Sequence, residues 1–229
     1  MSPSRTELLR WQFDLTWSLL DYHLDRLEST DLLWEPAELC WTVRPDATGV
    51  WVPDWSESEP DPIPVPTIAW ITWHLGWWWS VTLDHVEGRA PRDRTDVGWP
   101  GDLDGTITWL RGLRTSWVAV LDRLGDEDLD RPATFPWQAE DGHPVARMVA
   151  WVNAELMKNS AEIGQLRLLR AAGPTGNQST SVSDLSPVTA KDPRAEPGGE
   201  VGEQDPEQAG ELVTLNRGQG VEQALFVFE

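Results

Sequence analysis

The sequence predicts an all-α protein, a four-helix bundle with a long Pro- and Trp-rich loop between helices 1 and 2 and an acidic, disordered C-terminal tail. Three observations predict it. Four segments repeat apolar residues at helical spacing. A proline-dense stretch separates the first from the second and cannot itself be a long helix. All 16 tryptophans fall between Trp11 and Trp151, so the apolar area needed for a core, roughly 150–250 Å² for each large aromatic, lies in the first three quarters of the chain. Four amphipathic segments with one long connection describe a bundle.

The first helix spans 6–28, with Leu9, Phe13, Leu20, Leu24 and Leu27 at helical spacing and Trp17 completing the stripe. Ser4 and Glu7 form an S-x-x-E capping box ahead of it. His23 lies beside the stripe, one turn from Leu19 and from Leu27.

From about Thr30 to Thr67 the pattern dissolves. WEPAELCWTVRPDATGVWVPDWSESEPDPIPVP holds seven of the 18 prolines. Its four tryptophans, Trp34, Trp41, Trp51 and Trp55, suggest a loop pinned to the domain. CWTVR and GVWVP, joined by PDATG, read as a short strand pair. Thr67 N-caps the second helix, Ile68–Glu87, which Gly88 stops. The third spans 103–124, capped by Asp102 or Asp104, with Ile107, Leu110, Leu113, Trp117, Leu121 and Leu124 on one side. After the connection GDEDLDRPATFPWQAEDGHP, the fourth runs from Val145 to Ala171 on a stripe of Val145, Met148, Val152, Leu156, Ile163 and Leu166. The boundaries are thus a bundle domain over 1–172 and a low-complexity tail over 173–229. With three basic against ten acidic residues, the tail cannot bury enough surface to offset its ordering entropy. Only ELVTL and QALFVFE in it carry enough apolar character for transient structure.

Composition excludes several functions. A net charge of −20 argues against a nucleic-acid partner, which needs a positive surface. Arg89, Arg92 and Arg94 make the one local basic cluster, in a turn-rich segment that reads as a solvated loop. No secretory signal opens the chain. The apolar run from Ile68 to Leu83 is shorter than the ~20 residues of a spanning helix and holds His74. A soluble, cytoplasmic protein is expected, and Cys40, the single cysteine, fits a reducing compartment. Without a nearby activator Cys40 reads as inert.

The chemistry-bearing candidates lie on helices 2 and 4. IAWITWHLGWWWSVTLDH places His74 and His85 eleven residues apart, on nearly one side of a helix with Trp70, Trp77 and Val81. His85 reads as a dipole-favoured residue at the helix end, and His143 as an exposed turn residue. In WVNAELMKNSAEIGQLRLLR, Glu155, Asn159 and Glu162 stand at i, i+4 and i+7 beside the apolar stripe. One reading has them in solvent, or paired with Lys158 and Arg167. The other has them facing His74 and His23 across the interior, where histidines and carboxylates together hold a divalent metal. Spacing leaves both open.

The order of helix, Pro-rich loop, a helix with TIAWITWHLG and a last helix with AEIGQLRLLR resembles the DinB-like superfamily of four-helix bundles over residues 6–171. WEPAELCWTVRP followed by PDPIPVPTIAW is similar to its actinobacterial branch. The resemblance implies a divalent metal held by three histidines, one from the second helix and two from an HxxxH before a basic residue and G-Q. His74 matches the first, and Gly164–Gln165 match the G-Q. Lys158 and Glu162 then stand where the other two histidines would be. The implied altered ligand set is His74, Glu162 and Glu155, with Asn159 nearby and Lys158 unable to ligate unless deprotonated.

The resemblance therefore implies two readings. One is a binding or interaction bundle with a degenerate metal site and a small-molecule ligand. The other is a mycothiol-dependent transferase or isomerase, in which zinc, nickel or manganese lowers the pKa of a low-molecular-weight thiol. A third has the acidic tail recruit a protein partner. Homodimers are also implied, because related bundles pair through their helices.

Overall fold

The computed structural model describes residues 3–173. The tail from residue 174 onward lies outside the described residues, together with the disorder and transient structure expected there. Four long helices form the bundle, with one short helix and four short strands in the first connection.

Helix α1 spans Arg5–Leu24, started by the expected capping box: Ser4 Oγ accepts from Glu7 N, and the Glu7 carboxylate accepts from Ser4 N. It ends four residues before the expected boundary, and a separate turn of helix, α2 (Ser29–Leu32), follows. Phe13, Trp17, Leu20 and Leu24 face the core as expected. Leu19, one turn before His23, is exposed.

The Pro-rich connection is pinned to the bundle. Strands β2 (Val43–Pro45) and β3 (Trp51–Pro53) form the expected antiparallel pair, turned at Gly49, whose φ of +88° suits a residue without Cβ. The sequence did not announce the parallel contact of β1 (Cys40–Trp41) with β4 (Val65–Pro66), which closes the loop on itself. Trp41 stacks on Trp70 at 5.1 Å, Trp55 meets Trp77 edge-on at 5.4 Å, and Trp70 Nε1 donates to Asp54 O at 2.8 Å.

Thr67 caps α3 (Ile68–Val86), its hydroxyl accepting from Trp70 N. Every residue from Ile68 to Asp84 is buried, the pattern of a helix surrounded on all sides. Among the described residues no helix is long and apolar enough to cross a membrane. Helix α4 (Leu103–Leu121) starts at Asp102, which accepts from Gly105 N, and ends three residues early. Helix α5 runs Val145–Ala172.

Cross-contacts fix the helix directions. Asn153 of α5 donates to Leu9 O of α1 at 3.1 Å. Further along both helices, His23 fills the space above Gly164. The two helices therefore run parallel. Arg10 pairs with Asp122 at one end of α4, and Arg111 with Asp21 and Asp25 nearer its start, so α4 opposes α1. Trp78 reaches Asn159, while His85 stacks on Phe135, which meets Trp151, so α3 opposes α5. The order is up, down, down, up, and the parallel α3–α4 pair requires the crossover 87–102.

That crossover corrects the reading of the basic cluster as a solvated loop. Asp84, only 3 % exposed, accepts from Arg92 Nε at 2.6 Å and Nη2 at 2.8 Å, and from Arg89 Nε at 2.9 Å. Arg94 lies over the Trp55 ring. Arg89 and Arg92 staple the crossover to the end of α3, and Arg94 holds it against the Pro-rich connection.

Candidate functional site

The α3–α5 seam gathers the polar groups of the interior. His74, 1 % exposed, has Trp70 stacked parallel to it at 5.1 Å and Trp77 edge-on at 5.9 Å. These neighbours follow from the helix itself, since Trp70 and Trp77 are one turn before and after His74. Burial lowers its pKa to about 3, and the Lys158 ammonium adds to the effect. The imidazole is therefore neutral at pH 7, and its Nδ1 has no hydrogen-bond partner.

Helix α5 supplies the facing groups. Asn159 is held from two sides: its Oδ1 accepts from Trp78 Nε1 at 3.1 Å, and its Nδ2 donates to Glu162 Oε2 at 3.0 Å. Glu162 Oε1 is buried without a partner. Burial raises the Glu162 pKa first of all; Glu155 adds to the rise, while Asn159 and Lys158 oppose it. Lys158 Nζ lies 2.6 Å from Glu155 Oε2, a charge contact whose angles fall outside hydrogen-bond geometry. The sequence alternatives thus resolve unevenly. Glu155 and Asn159 are buried and Glu162 nearly so, none of them a solvated face. Lys158 pairs with Glu155 at i−3, not with Glu162 at i+4.

His23 does not join this group. It sits on the α1 side of α5, where a Cβ on Gly164 would lie 2.5 Å from its Nε2. Burial lowers its pKa, with Arg167 and Arg26 contributing. Gly164 of the G-Q pair thus makes room for an imidazole from the neighbouring helix. His85 is held by Phe135 at 5.1 Å and Thr134 at 3.2 Å, more than a helix-end charge. His143, expected to be exposed, is half-buried against Trp137 at 4.6 Å. Cys40 Sγ contacts Ala37 O at 3.1 Å.

The donor chemistry does not fit a resident divalent metal. Among the described residues no three His, Cys, Asp or Glu side chains come together as a ligand set. The α5 position where the resemblance expects an imidazole holds an ammonium, which depresses His74 and lies against the Glu155 carboxylate. A cation brought to this group would meet like charge before it met a third ligand. Nor is the His74 ring open to solvent, at 1 % exposure. One cleft of the bundle, lined by Thr6, Leu9, Leu121, Leu124, Leu129 and Val149 near the N-terminal ends of α1 and α5, has a cavity volume of about 10 Å³, the size of a single water.

Two residues, Trp78 in the seam and Asp84 at the far end of α3, carried weak sequence signals. Trp78 looked like one more apolar residue, although its place one turn after His74 put it toward α5. Asp84 was readable as a charge ending an apolar run shortly before three arginines, but not as their shared acceptor. No curated protein sequence matches the chain. A family model described as the DinB superfamily matches residues 12–163, from the second turn of α1 through the polar seam of α5. With more than half its length in that match, and its four long helices packed as a bundle, the chain belongs to the DinB superfamily.

Proposed function

We propose that this DinB-superfamily bundle works without a resident metal, as a binding or interaction domain, and that Lys158 supplies the positive charge a divalent ion would bring beside His74. The observation that carries the reading is the Lys158–Glu155 contact of 2.6 Å next to a neutral, desolvated imidazole. The ammonium offsets the carboxylate charge of the seam from within the chain. His74 is closed off from solvent between Trp70 and Trp77, which supports the interaction role over the small-molecule one. A cytoplasmic setting suits a chain whose one thiol has no disulfide partner.

A second reading keeps the metal- and thiol-dependent transferase, with His74, Glu162 and Glu155 as ligands. It is favoured by the partnerless His74 Nδ1 and Glu162 Oε1, both buried, which an exogenous group would satisfy.

One experiment separates them. Zinc, nickel or manganese is added to the full chain while its melting temperature is followed. The wild type is expected not to respond. The double variant Lys158→His/Glu162→His rebuilds a three-histidine set and is expected to gain stability as RT ln(1 + [L]/Kd), about 2.7 kcal/mol at 100 times Kd. A metal-dependent rise in the wild type that disappears in His74→Ala would overturn the metal-free reading in favour of the second.

A further inference from the structure

Helix α1 carries a second apolar stripe that its own bundle does not use. Leu8, Trp11, Leu15, Leu19 and Tyr22 are 42–61 % exposed. Their spacing of three, four, four and three residues puts them on one side of the helix, away from Phe13, Trp17, Leu20 and Leu24. From Leu8 to Tyr22 the stripe is ~21 Å long.

A cation stands at the Tyr22 end. The Arg26 guanidinium lies 3.6 Å from the centre of the Tyr22 ring, and Arg167 of α5 is close enough that both lower the pKa of His23. Among the described residues neither arginine is paired with a carboxylate. Asp21 and Asp25 are turned to Arg111, and Asp31 to Arg170. In a chain of net charge −20, an unpaired arginine beside an apolar stripe suits an apolar segment flanked by acid.

The chain contains such a segment. Ala224–Phe228, ALFVF, is an unbroken apolar run with Glu222 before it and Glu229 after it. From Glu222 to Glu229 an extended chain covers ~23 Å, the length of the stripe, so in either direction one of the two carboxylates lies toward Arg26. Arg170, two residues before the end of α5, pairs with Asp31 of α2, so the chain leaves the bundle near the Arg26 end of α1. The roughly 50 residues from there to Glu222 span ~40 Å even as a random coil, ample for the stripe. A tethered segment acts at an effective concentration of order mM, so a modest contact suffices.

We propose that the segment Ala224–Phe228 docks on the Leu8–Tyr22 stripe of its own chain, with a flanking carboxylate on Arg26. The bundle then supplies its own cover for this face. The docking is independent of the metal question, because none of its residues belongs to the His74 seam.

Thiol accessibility in the full chain tests it. In a Cys40→Ser background, Leu15→Cys is labelled with N-ethylmaleimide. The native tail should slow labelling by ~10-fold or more relative to the tail variant Leu225→Asp/Phe226→Asp/Phe228→Asp, and dilution should not change the ratio. Asp104→Cys, on α4, should label at one rate with either tail. The pair Leu15→Cys/Phe226→Cys should close a disulfide within one chain under mild oxidation. Equal labelling of Leu15→Cys with both tails overturns the proposal. So does protection that grows with protein concentration, which would mean that a second copy covers the stripe, or a disulfide that forms only between chains.

Discussion

His74 is a histidine the fold keeps neutral. Its pKa falls from the ordinary 6.5 to about 3 because burial and Lys158 both disfavour the imidazolium. The unfolded chain takes up that proton near pH 6.5 while the folded chain does not. The stability His74 contributes is therefore complete above pH 6.5 and lost progressively as pH falls toward 3. Denaturant titrations at stepped pH should show His74→Gln flattening the decline between pH 6.5 and 4.5 by up to about 1.4 kcal/mol per pH unit. His23 and His85, also shifted down, keep the remaining slope. Glu162 acts in the opposite sense: its raised pKa favours the fold at low pH and weakens it as pH climbs. Asp84 is held well below the usual carboxylate range, chiefly by the Arg92 hydrogen bonds, so its contribution disappears only below about pH 4. Asp84→Asn should cost about 2–3 kcal/mol at pH 7, measured by urea unfolding.

At the scale of elements, two glycines set how closely helices approach. A Cβ at Gly76 of α3 would run into the Trp109 indole of α4, and one at Gly164 of α5 into His23 of α1. Alanine ordinarily gains about 1 kcal/mol over glycine inside a helix. At these positions the sign should reverse, with Gly76→Ala and Gly164→Ala each losing about 1–3 kcal/mol by overpacking, read as lower urea midpoints at unchanged slope. The helices and their starts were legible in the sequence because they depend on local signals: Ser4, Thr67 and Asp102 each cap where a side-chain oxygen precedes an apolar repeat. The parallel β1–β4 contact was not legible, since two residues on each side carry no periodicity. The site was half legible. Spacing singled out Glu155, Asn159 and Glu162 without deciding whether they face inward, and the resemblance brought in His74, but the choice of Glu155 over Glu162 as the Lys158 partner depends on the rotation of α5 against α3. No pattern within one helix encodes that rotation.

For the whole molecule, charge and aromatic packing pull in different directions. The chain is strongly acidic, while its core is built of indoles and aliphatic side chains. Stability should therefore rise from low to physiological ionic strength, as screening relieves the self-repulsion of the acidic chain. Urea unfolding at ~0.01 M and ~0.15 M salt checks the sign, and a fall in stability would show that the ion pairs outweigh the repulsion.

The indoles have an optical consequence. Trp41, Trp70, Trp73, Trp77 and Trp55 form an unbroken run of rings with centroids 5.1–5.7 Å apart. Chromophores that close exchange excitation faster than they emit. Emission from this run should be depolarised even in a molecule held still, and its near-ultraviolet ellipticity should carry the signature of coupled transitions. The loop supplies the first and last rings and α3 the three between. The signal therefore reports whether the Pro-rich connection is seated on the bundle, with no label added.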